Sequence, residues 1–156
     1  MTMKIRMLWA PLLLVACAAC GPRATIQTPA GFAVLQDQEE YVYRAATADG
    51  VALSVRAEKN EPRGNLDFWS AALDHQLRRV GYTPDGPAAE VHTSGGLTGR
   101  EARYTRSENG RKYRFWIAVF VTDRRVWVVE AGGDEERVKD RIPEGIQKAI
   151  ESLGVG

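Results

Sequence analysis

Apolar and polar residues alternate along the chain on either side of the dipeptide Asp49-Gly50. Residues 41–48 precede this dipeptide and residues 51–58 follow it. Both members of the dipeptide tolerate the positive φ angles of a two-residue type I′ turn, so the pattern predicts a hairpin. In its second strand the apolar residues share one face: Val51, Leu53, Val55 and Ala57. The alternation predicts a half-buried sheet here, preceded by a short strand over residues 32–35.

A second hairpin is predicted around Asn109-Gly110, with residues 100–108 and 111–121 as its strands. A two-residue loop determines the register of every pair in this hairpin, because side chains alternate between the two faces of a strand. The pairs expected on one face are Tyr104 with Phe115 and Ala102 with Ile117, and the pair expected on the other is Arg103 with Trp116.

A third strand, residues 126–131, follows after a short turn and extends the hairpin into a meander. The expected pairs are Val119 with Val128 on one face and Phe120 with Trp127 on the other. Both faces of the meander are therefore rich in large apolar residues. A sheet that is apolar on both faces has to be covered on both sides.

The first helix is predicted over residues 66–80, with Asn65 as its N-cap and Gly81 at its C-terminal end. Apolar residues recur at helical spacing and form one stripe. The members of this stripe are Leu66, Trp69, Leu73, Leu77 and Val80.

The second helix is predicted to begin at Asp134, because Glu135 and Glu136 would then lie in the first turn, where the helix dipole favours acidic residues. Pro143 interrupts the pattern and predicts a kink or break near Ile142. The predicted buried face consists of Val138, Ile142, Ile146, Ala149, Ile150 and Leu153, with Gly154 as the end of the helix.

The N-terminal residues have the pattern of an export signal. Lys4 and Arg6 form a short positive segment, and the apolar run over residues 7–16 is too short to cross a bilayer, which needs about 20 residues. This length and these flanking residues are typical of a secretory signal. The sequence therefore predicts that residues 1–16 are a signal peptide that is removed.

Residues 14–17, Leu-Val-Ala-Cys, resemble the lipobox of bacterial lipoproteins. In that family the cysteine thiol carries a diacylglycerol and the cysteine becomes residue one, so the resemblance implies that Cys17 is lipidated and anchors the chain to a membrane. Cys20 is the alternative lipidated residue. Ala18 is not the aspartate that retains such proteins at the inner membrane, so the resemblance implies the outer membrane in a cell that has two.

The composition excludes several classes of protein. At 44% hydrophobic and 26% charged residues, the chain is not disordered as a whole. Its 156 residues include 21 Lys and Arg and 20 Asp and Glu, and removal of residues 1–16 leaves 19 and 20, a net charge of −1. This balance argues against a nucleic-acid-binding protein. The two His and two Cys leave few ligands, so neither a metal centre nor a cofactor is expected.

Residues 17–31 contain Gly and Pro without periodicity, and we interpret them as the lipidated cysteine and a flexible tether. Residues 32–156 are predicted to form a single α+β domain. Its order of elements, with the meander over residues 100–131 and a terminal helix, is similar to the PsbP-like fold, found in extrinsic photosystem proteins and in small bacterial lipoproteins. The resemblance covers residues 30–153. It implies an antiparallel sheet with helices packed on both faces. It also implies that the protein is a binding or assembly accessory rather than a catalyst.

Basic residues are concentrated in residues 100–114, which carry six cations and two acids. The candidate anion or partner patch consists of Arg106, Arg111, Lys112 and Arg114. Such a patch could contact lipid headgroups, anionic envelope polymers or an acidic protein. The alternative is a solvated hairpin whose charges protect a sheet edge from aggregation.

These observations together predict a lipid-anchored protein of the bacterial cell envelope with a non-catalytic binding or assembly domain. Its expected partners are the membrane and an envelope protein or anionic polymer, and not nucleic acid. The alternative is an envelope hydrolase or an enzyme that binds a small ligand. A pocket that holds a perturbed acid beside His75 or His92 would favour this alternative.

Overall fold

The structure is a computed structural model and describes residues 21–36, 39–138 and 142–156. The predicted signal peptide, the lipobox and both cysteines lie outside the described residues, and their assignment stays a prediction. Within the described residues no helix is long and apolar enough to cross a membrane.

Ten strands and two helices make up the described part of the chain. In chain order they are β1 (Ala24–Thr25), β2 (Ala33–Val34), β3 (Tyr43–Ala46), β4 (Ala52–Lys59), α1 (Leu66–Arg79), β5 (Thr83–Pro84), β6 (Ala89–His92), β7 (Thr98–Glu108), β8 (Arg111–Val121), β9 (Arg125–Asp134), α2 (Ile142–Glu151) and β10 (Gly154–Val155).

Eight of these strands form one sheet in the order β2-β3-β4-β9-β8-β7, with β5 and β6 both paired to β7 at different points along it. Every pairing is antiparallel, and β1 and β10 form a separate two-stranded ribbon. The structure thus confirms an antiparallel sheet accompanied by two helices.

The long strands give the sheet two distinct ends. We call the end that carries the loops 47–51 and 109–110 the tip end. The opposite end, which carries the loops 93–97 and 122–124, we call the basal end. Strands β4, β7, β8 and β9 all run from one end to the other.

The second hairpin has the predicted register along its whole length. Glu108 pairs with Arg111, and the two loop residues Asn109 and Gly110 have φ angles of 51° and 77°. These angles are those of a type I′ turn, whose twist matches the twist of the strands. The predicted cross-strand pairs are confirmed, including Tyr104 with Phe115, Arg103 with Trp116, Val119 with Val128 and Phe120 with Trp127.

The first hairpin is confirmed, but the predicted two-residue loop is wrong. The amide of Thr47 donates to the carbonyl of Val51 (2.8 Å), which leaves three residues in the loop. Of these three only Gly50 has a positive φ, at 93°. The Thr47 hydroxyl donates to the Asp49 carboxylate and accepts from the amide of Val51, and these local bonds stabilise the longer loop.

Side chains on one face of the sheet form the larger core cluster, together with residues of α2. Trp127, Phe120 and Trp116 from the meander contact this cluster, and Ile146 and Ile150 of α2 are buried in it. As predicted, Val51, Leu53 and Val55 of the first hairpin belong to the same face and are completely buried.

Side chains on the other face form a smaller cluster, against which the side chains of α1 pack. Its buried members are Tyr104, Ile117, Val119, Val126 and Val128. Asn65 caps the helix as predicted, since its Oδ1 accepts from the amide of Phe68 at 2.9 Å. Four members of the predicted stripe are partly buried here, but Val80 is 52% exposed because the helix ends at Arg79 and Val80 lies beyond its last turn.

The predicted start of the second helix at Asp134 is wrong. Asp134 is the last residue of β9, and its carbonyl and carboxylate accept hydrogen bonds from the amides of residues 136–138 in a single turn. The helix begins at Ile142, so Pro143 lies in its first turn. Proline has no amide hydrogen, but at this position no helical hydrogen bond is lost, because the first amides of a helix have no intrahelical partner. The proline therefore lies in the first turn of the helix, which starts at Ile142, the position near which a kink or break was predicted.

Residues 21–31, the described part of the flexible tether predicted for residues 17–31, pack on the domain. Ile26 contacts the larger core cluster and Pro29 is buried. The amide of Gln27 donates to the hydroxyl of Ser152 at 2.7 Å, and β1 pairs with β10. This segment has no periodic pattern because single apolar residues and backbone hydrogen bonds hold it in place, rather than a repeated apolar face.

Candidate functional site

A cavity of about 320 Å³ lies between α1 and the half of the sheet formed by β7 and β8. Its floor is apolar, because Ala102, Ile117 and Val119 point towards the helix from adjacent strands. Pro84 and Pro87 close one side, and neither residue has an amide hydrogen that would be left without a partner. We call this space the α1 cavity.

A second cavity, of about 280 Å³, lies on the other side of the same helix, and Leu73 and Ile117 line both cavities. No residue of α1 is fully buried. The helix therefore rests on the sheet along a narrow line of contact, with open space on either side of it. Protein cores are normally packed without such voids, so α1 covers this face of the sheet incompletely.

Asp74 of α1 connects the helix to the sheet at the edge of the α1 cavity. Its Oδ1 accepts from the hydroxyl of Tyr104 at 2.8 Å, and its Oδ2 accepts from Nε of Arg78 at 2.8 Å. Partial burial raises the pKa of Asp74, but these two hydrogen bonds outweigh that effect and hold it below its usual value. Burial, together with the hydrogen bond to Asp74, raises the pKa of Tyr104 far above its usual range. Both groups therefore keep one protonation state at neutral pH.

Ser70 contributes the one buried side-chain polar atom of the α1 cavity that lacks a hydrogen-bond partner among the described residues. Its Oγ is buried and has no hydrogen bond. An unpaired buried hydroxyl is costly, so this oxygen could accept or donate a hydrogen bond to a bound ligand. Close to it, Arg100 and Asp67 form an ion pair of 2.7 Å at the mouth of the cavity.

Neither histidine lines the α1 cavity. His75 lies on the exposed side of α1. His92 lies on β6, where its Nε2 is 3.0 Å from a carboxylate oxygen of Glu90 and its Nδ1 is 3.2 Å from the hydroxyl of Thr98. In the described part of the chain no group of three His, Cys, Asp or Glu side chains could hold a metal ion.

The structure divides the predicted basic patch between several surroundings. Arg106 pairs with Tyr113, and Arg114 is the next residue on β8, so Arg106 and Arg114 lie on opposite faces of the hairpin. The guanidinium of Arg106 lies over the ring of Tyr82, 5.5 Å from its centre, and Arg114 pairs with Glu135 at 3.0 Å. Local sequence spacing therefore overstated how close these cations are to one another.

Arg111 and Lys112 are exposed at the tip end and have no acidic partner among the described residues. They line a wide cleft together with the acidic side chains of residues 134–136. The basic hairpin thus faces an acidic turn that is distant in sequence, and the positive charge counted over residues 100–114 is offset in space.

The residues of the α1 cavity were not among the candidates derived from the sequence. Asp74 and Tyr104 are 30 positions apart, and no motif connects them. The available signal was the alternation of β7, which places the Tyr104 side chain on the α1 face, but only the packed structure brings Asp74 to its hydroxyl.

No model of a known protein family matches the chain, and no curated protein sequence matches it. Solved structures do resemble it. LpqN of Mycobacterium tuberculosis, described as involved in cell envelope biogenesis, superimposes with a TM-score of 0.68 at 13% identity over 86% of this chain and 84% of LpqN. Cyanobacterial PsbP from Synechocystis sp. PCC 6803 gives a TM-score of 0.52 at 13% identity, over 92% of this chain and 99% of PsbP.

A protein of unknown function from Pseudomonas aeruginosa gives a TM-score of 0.56 at 9% identity, over 88% of this chain and 86% of that protein. At such low identities these similarities concern the fold alone. The fold of this chain is PsbP-like, as the order of its elements predicted.

Proposed function

We propose that the chain is a lipid-anchored lipoprotein of the bacterial cell envelope, whose PsbP-like domain, with α1 and α2 on opposite faces of the sheet, binds a ligand or partner without catalysis. Cys17 carries the lipid, with Cys20 as the alternative, and Ala18 favours the outer membrane where there are two. The role that LpqN is described as having, in cell envelope biogenesis, agrees with this location.

The observation that carries the binding role is the α1 cavity. It combines an apolar floor with a few polar groups at its rim, which is the usual composition of a small-molecule site. The hydroxyl of Ser70 is available for one hydrogen bond, while the charges of Asp67, Asp74, Arg78 and Arg100 are already paired. The site therefore suits a ligand that joins an apolar part to a neutral hydrogen-bonding group.

The alternative function, an envelope hydrolase, would draw on the same cavity, since Asp74 is a perturbed acid next to His75 in sequence. Two features favour binding instead. Both oxygens of the Asp74 carboxylate accept hydrogen bonds, and its lowered pKa makes it a weaker base. Ser70 lies four residues before Asp74 on α1, but it has no hydrogen bond to a base that could activate its hydroxyl.

Lipidation can be tested by growing cells that express the full chain with an alkyne analogue of palmitate. We expect the wild-type chain to be labelled, because the lipobox cysteine carries acyl chains in the resembling family. The Cys17→Ala chain should lose the label and the Cys20→Ala chain should keep it. Full labelling of the Cys17→Ala, Cys20→Ala double variant would contradict the lipoprotein assignment, while loss in Cys20→Ala alone would assign the lipid to Cys20.

The binding role can be tested with N-phenyl-1-naphthylamine, an apolar dye that fluoresces when it leaves water. The wild-type protein should bind it, and Ala102→Leu should weaken binding about tenfold or more, which corresponds to ~1.4 kcal/mol, because three added carbons occupy the floor of the α1 cavity. Ala72→Leu is the matched control, since Ala72 is exposed on α1 and lines neither cavity. Equal weakening in both variants, or no binding by the wild type, would exclude the cavity as the site.

A further inference from the structure

From residue 29 back to residue 23 the chain runs beside Gly145 of α2, then Ser152 and then Gly156, which is the direction towards the basal end. The amide of Gly156 donates to the carbonyl of Arg23 at 3.0 Å, so Arg23 lies beside the C-terminus, next to the β1–β10 ribbon. Helix α2, which comes before β10 in the chain, ends at Glu151. The carbonyl of Glu151 accepts from the amide of Ser94 at 2.7 Å. Ser94 belongs to the loop 93–97 that defines the basal end.

The distance from a lipid on Cys17 to Arg23 is limited by the length of the chain. Six residue steps span at most about 21 Å, and three steps from Cys20 span about 11 Å. By contrast β7 runs from Thr98 at the basal end to Glu108 at the tip end, which is about 34 Å for an extended strand of this length. The anchor is therefore too short to let the domain stand on its tip end.

The basal end also carries cations whose arrangement is unfavourable in the free domain. Lys59 and Arg125 lie directly opposite one another in the β4–β9 ladder, and Arg124 is the next residue. Like charges in directly opposed positions destabilise a sheet. None of the three has an acidic partner among the described residues, and the adjacent Asp123 is paired with Arg63 at 2.9 Å.

We propose that the basal end is the membrane-facing surface of the anchored domain and that Lys59, Arg124 and Arg125 contact anionic phospholipid headgroups. Headgroup phosphates offset the repulsion between the opposed cations, and basic residues near an anionic membrane surface are attracted to it. This inference rests on the proposed lipid anchor but goes beyond it, since an anchor alone does not determine which surface faces the bilayer.

The orientation has a consequence for the basic residues of the second hairpin. Arg111 and Lys112 lie at the tip end and point away from the membrane that holds the anchor. They are then presented to the space beyond the bilayer rather than to the headgroups of their own membrane.

The orientation can be measured with the full lipidated chain in vesicles, with its non-lipidated cysteine replaced by serine. A fluorophore is attached at Ser94→Cys (basal end) or at Ser107→Cys (tip end), both of which are exposed. The vesicles contain phosphatidylcholine, with or without phosphatidylglycerol, and a quencher on the lipid headgroups. Quenching should be severalfold stronger at position 94 than at position 107. Equal quenching at both positions, or stronger quenching at 107, would overturn the orientation.

The headgroup contact is tested with two matched triple variants that remove the same charge. Lys59→Gln, Arg124→Gln, Arg125→Gln should abolish the extra quenching that phosphatidylglycerol produces at position 94. Arg106→Gln, Arg111→Gln, Lys112→Gln should leave it unchanged. A second measurement uses the wild-type chain, so that no substitution can disturb the fold. Raising the salt concentration should reduce the extra quenching that phosphatidylglycerol produces at position 94. No change in the basal variant or with salt would overturn the contact.

Mass spectrometry of the N-terminal peptide distinguishes a failure of the proposed lipid anchor from a failure of the proposed orientation. If this peptide carries no lipid, the proposed anchor fails. If the peptide is lipidated but the two labels are quenched equally, the anchor stands and only the membrane-facing assignment is wrong.

Discussion

Replacing Trp127 with alanine should lower the free energy of unfolding by about 3–5 kcal/mol, the range found when large aromatic core residues are truncated. Trp127 is 2% exposed and lies in the larger core cluster, between β4 and β8 in the middle of the sheet. Its removal leaves a void bounded by Phe120 and by side chains of both neighbouring strands, and a close-packed sheet cannot collapse to fill it. Urea unfolding followed by far-ultraviolet circular dichroism measures the change.

The control for this variant is Phe68→Ala. Phe68 is also aromatic, but it is 48% exposed on α1 and contacts Trp69 edge to face. We expect its loss to change the free energy of unfolding by less than about 1 kcal/mol, as is usual for exposed positions. Losses of similar size in the two variants would mean that the face towards α2 is not the main core of the domain.

Replacing Asn60 with alanine should lower the free energy of unfolding by about 2–4 kcal/mol, although the residue is small and polar. Asn60 is 6% exposed and its amide makes four hydrogen bonds. Its Nδ2 donates to the carbonyls of Gly64 (3.1 Å) and Thr122 (3.0 Å), and its Oδ1 accepts from the amide of Gly64 (2.8 Å) and from Nε1 of Trp69 (2.7 Å). Alanine leaves these partners without a hydrogen bond, and each buried group left unpaired costs about 1–3 kcal/mol.

The effect of Asn60→Ala should be visible at α1 as well as in the overall stability. Asn60 is the link between the basal loop, through Thr122, and the first turn of α1, through Trp69. The variant should therefore change the fluorescence of Trp69 in the folded state. Asn65→Ala is the matched control, since Asn65 is exposed and makes a single capping bond, whose loss costs about 1 kcal/mol. An equal or larger effect at Asn65 would contradict the role assigned to Asn60.

The parts of the fold that the sequence predicted are those in which neighbours along the chain determine the structure. Asn109-Gly110 defined a two-residue turn, and the turn determined the register of the ten residue pairs around it. The same reasoning located α1, because its cap and its apolar stripe are local signals. It was wrong about the loop after Thr47, where side-chain hydrogen bonds favour a longer loop, and about the start of α2, where a proline suits a first turn as well as a kink.

The candidate site was less predictable than the fold. The sequence indicated a basic hairpin, but the strands place Arg106 and Arg114 on opposite faces and bring Glu135 to Arg114. The sequence did not indicate the α1 cavity. A cavity is a space that side chains fail to fill, and this depends on how far a helix stands from a sheet, which no local pattern encodes.

The sequence by itself determined the antiparallel meander, its register, its two apolar faces and the need to cover both, since these follow from the two-residue period of strands and one turn. It also supplied the prediction of a lipid anchor. Only the tertiary structure decided how each helix packs: Ile146 and Ile150 of α2 are buried in the larger core cluster, whereas no residue of α1 is fully buried and cavities lie beside this helix. The structure alone also brought Arg23 beside Gly156 and Lys59 opposite Arg125. These features arise from contacts between residues far apart in the chain. No local sequence pattern determines such contacts, because they form only when the strands and helices pack together.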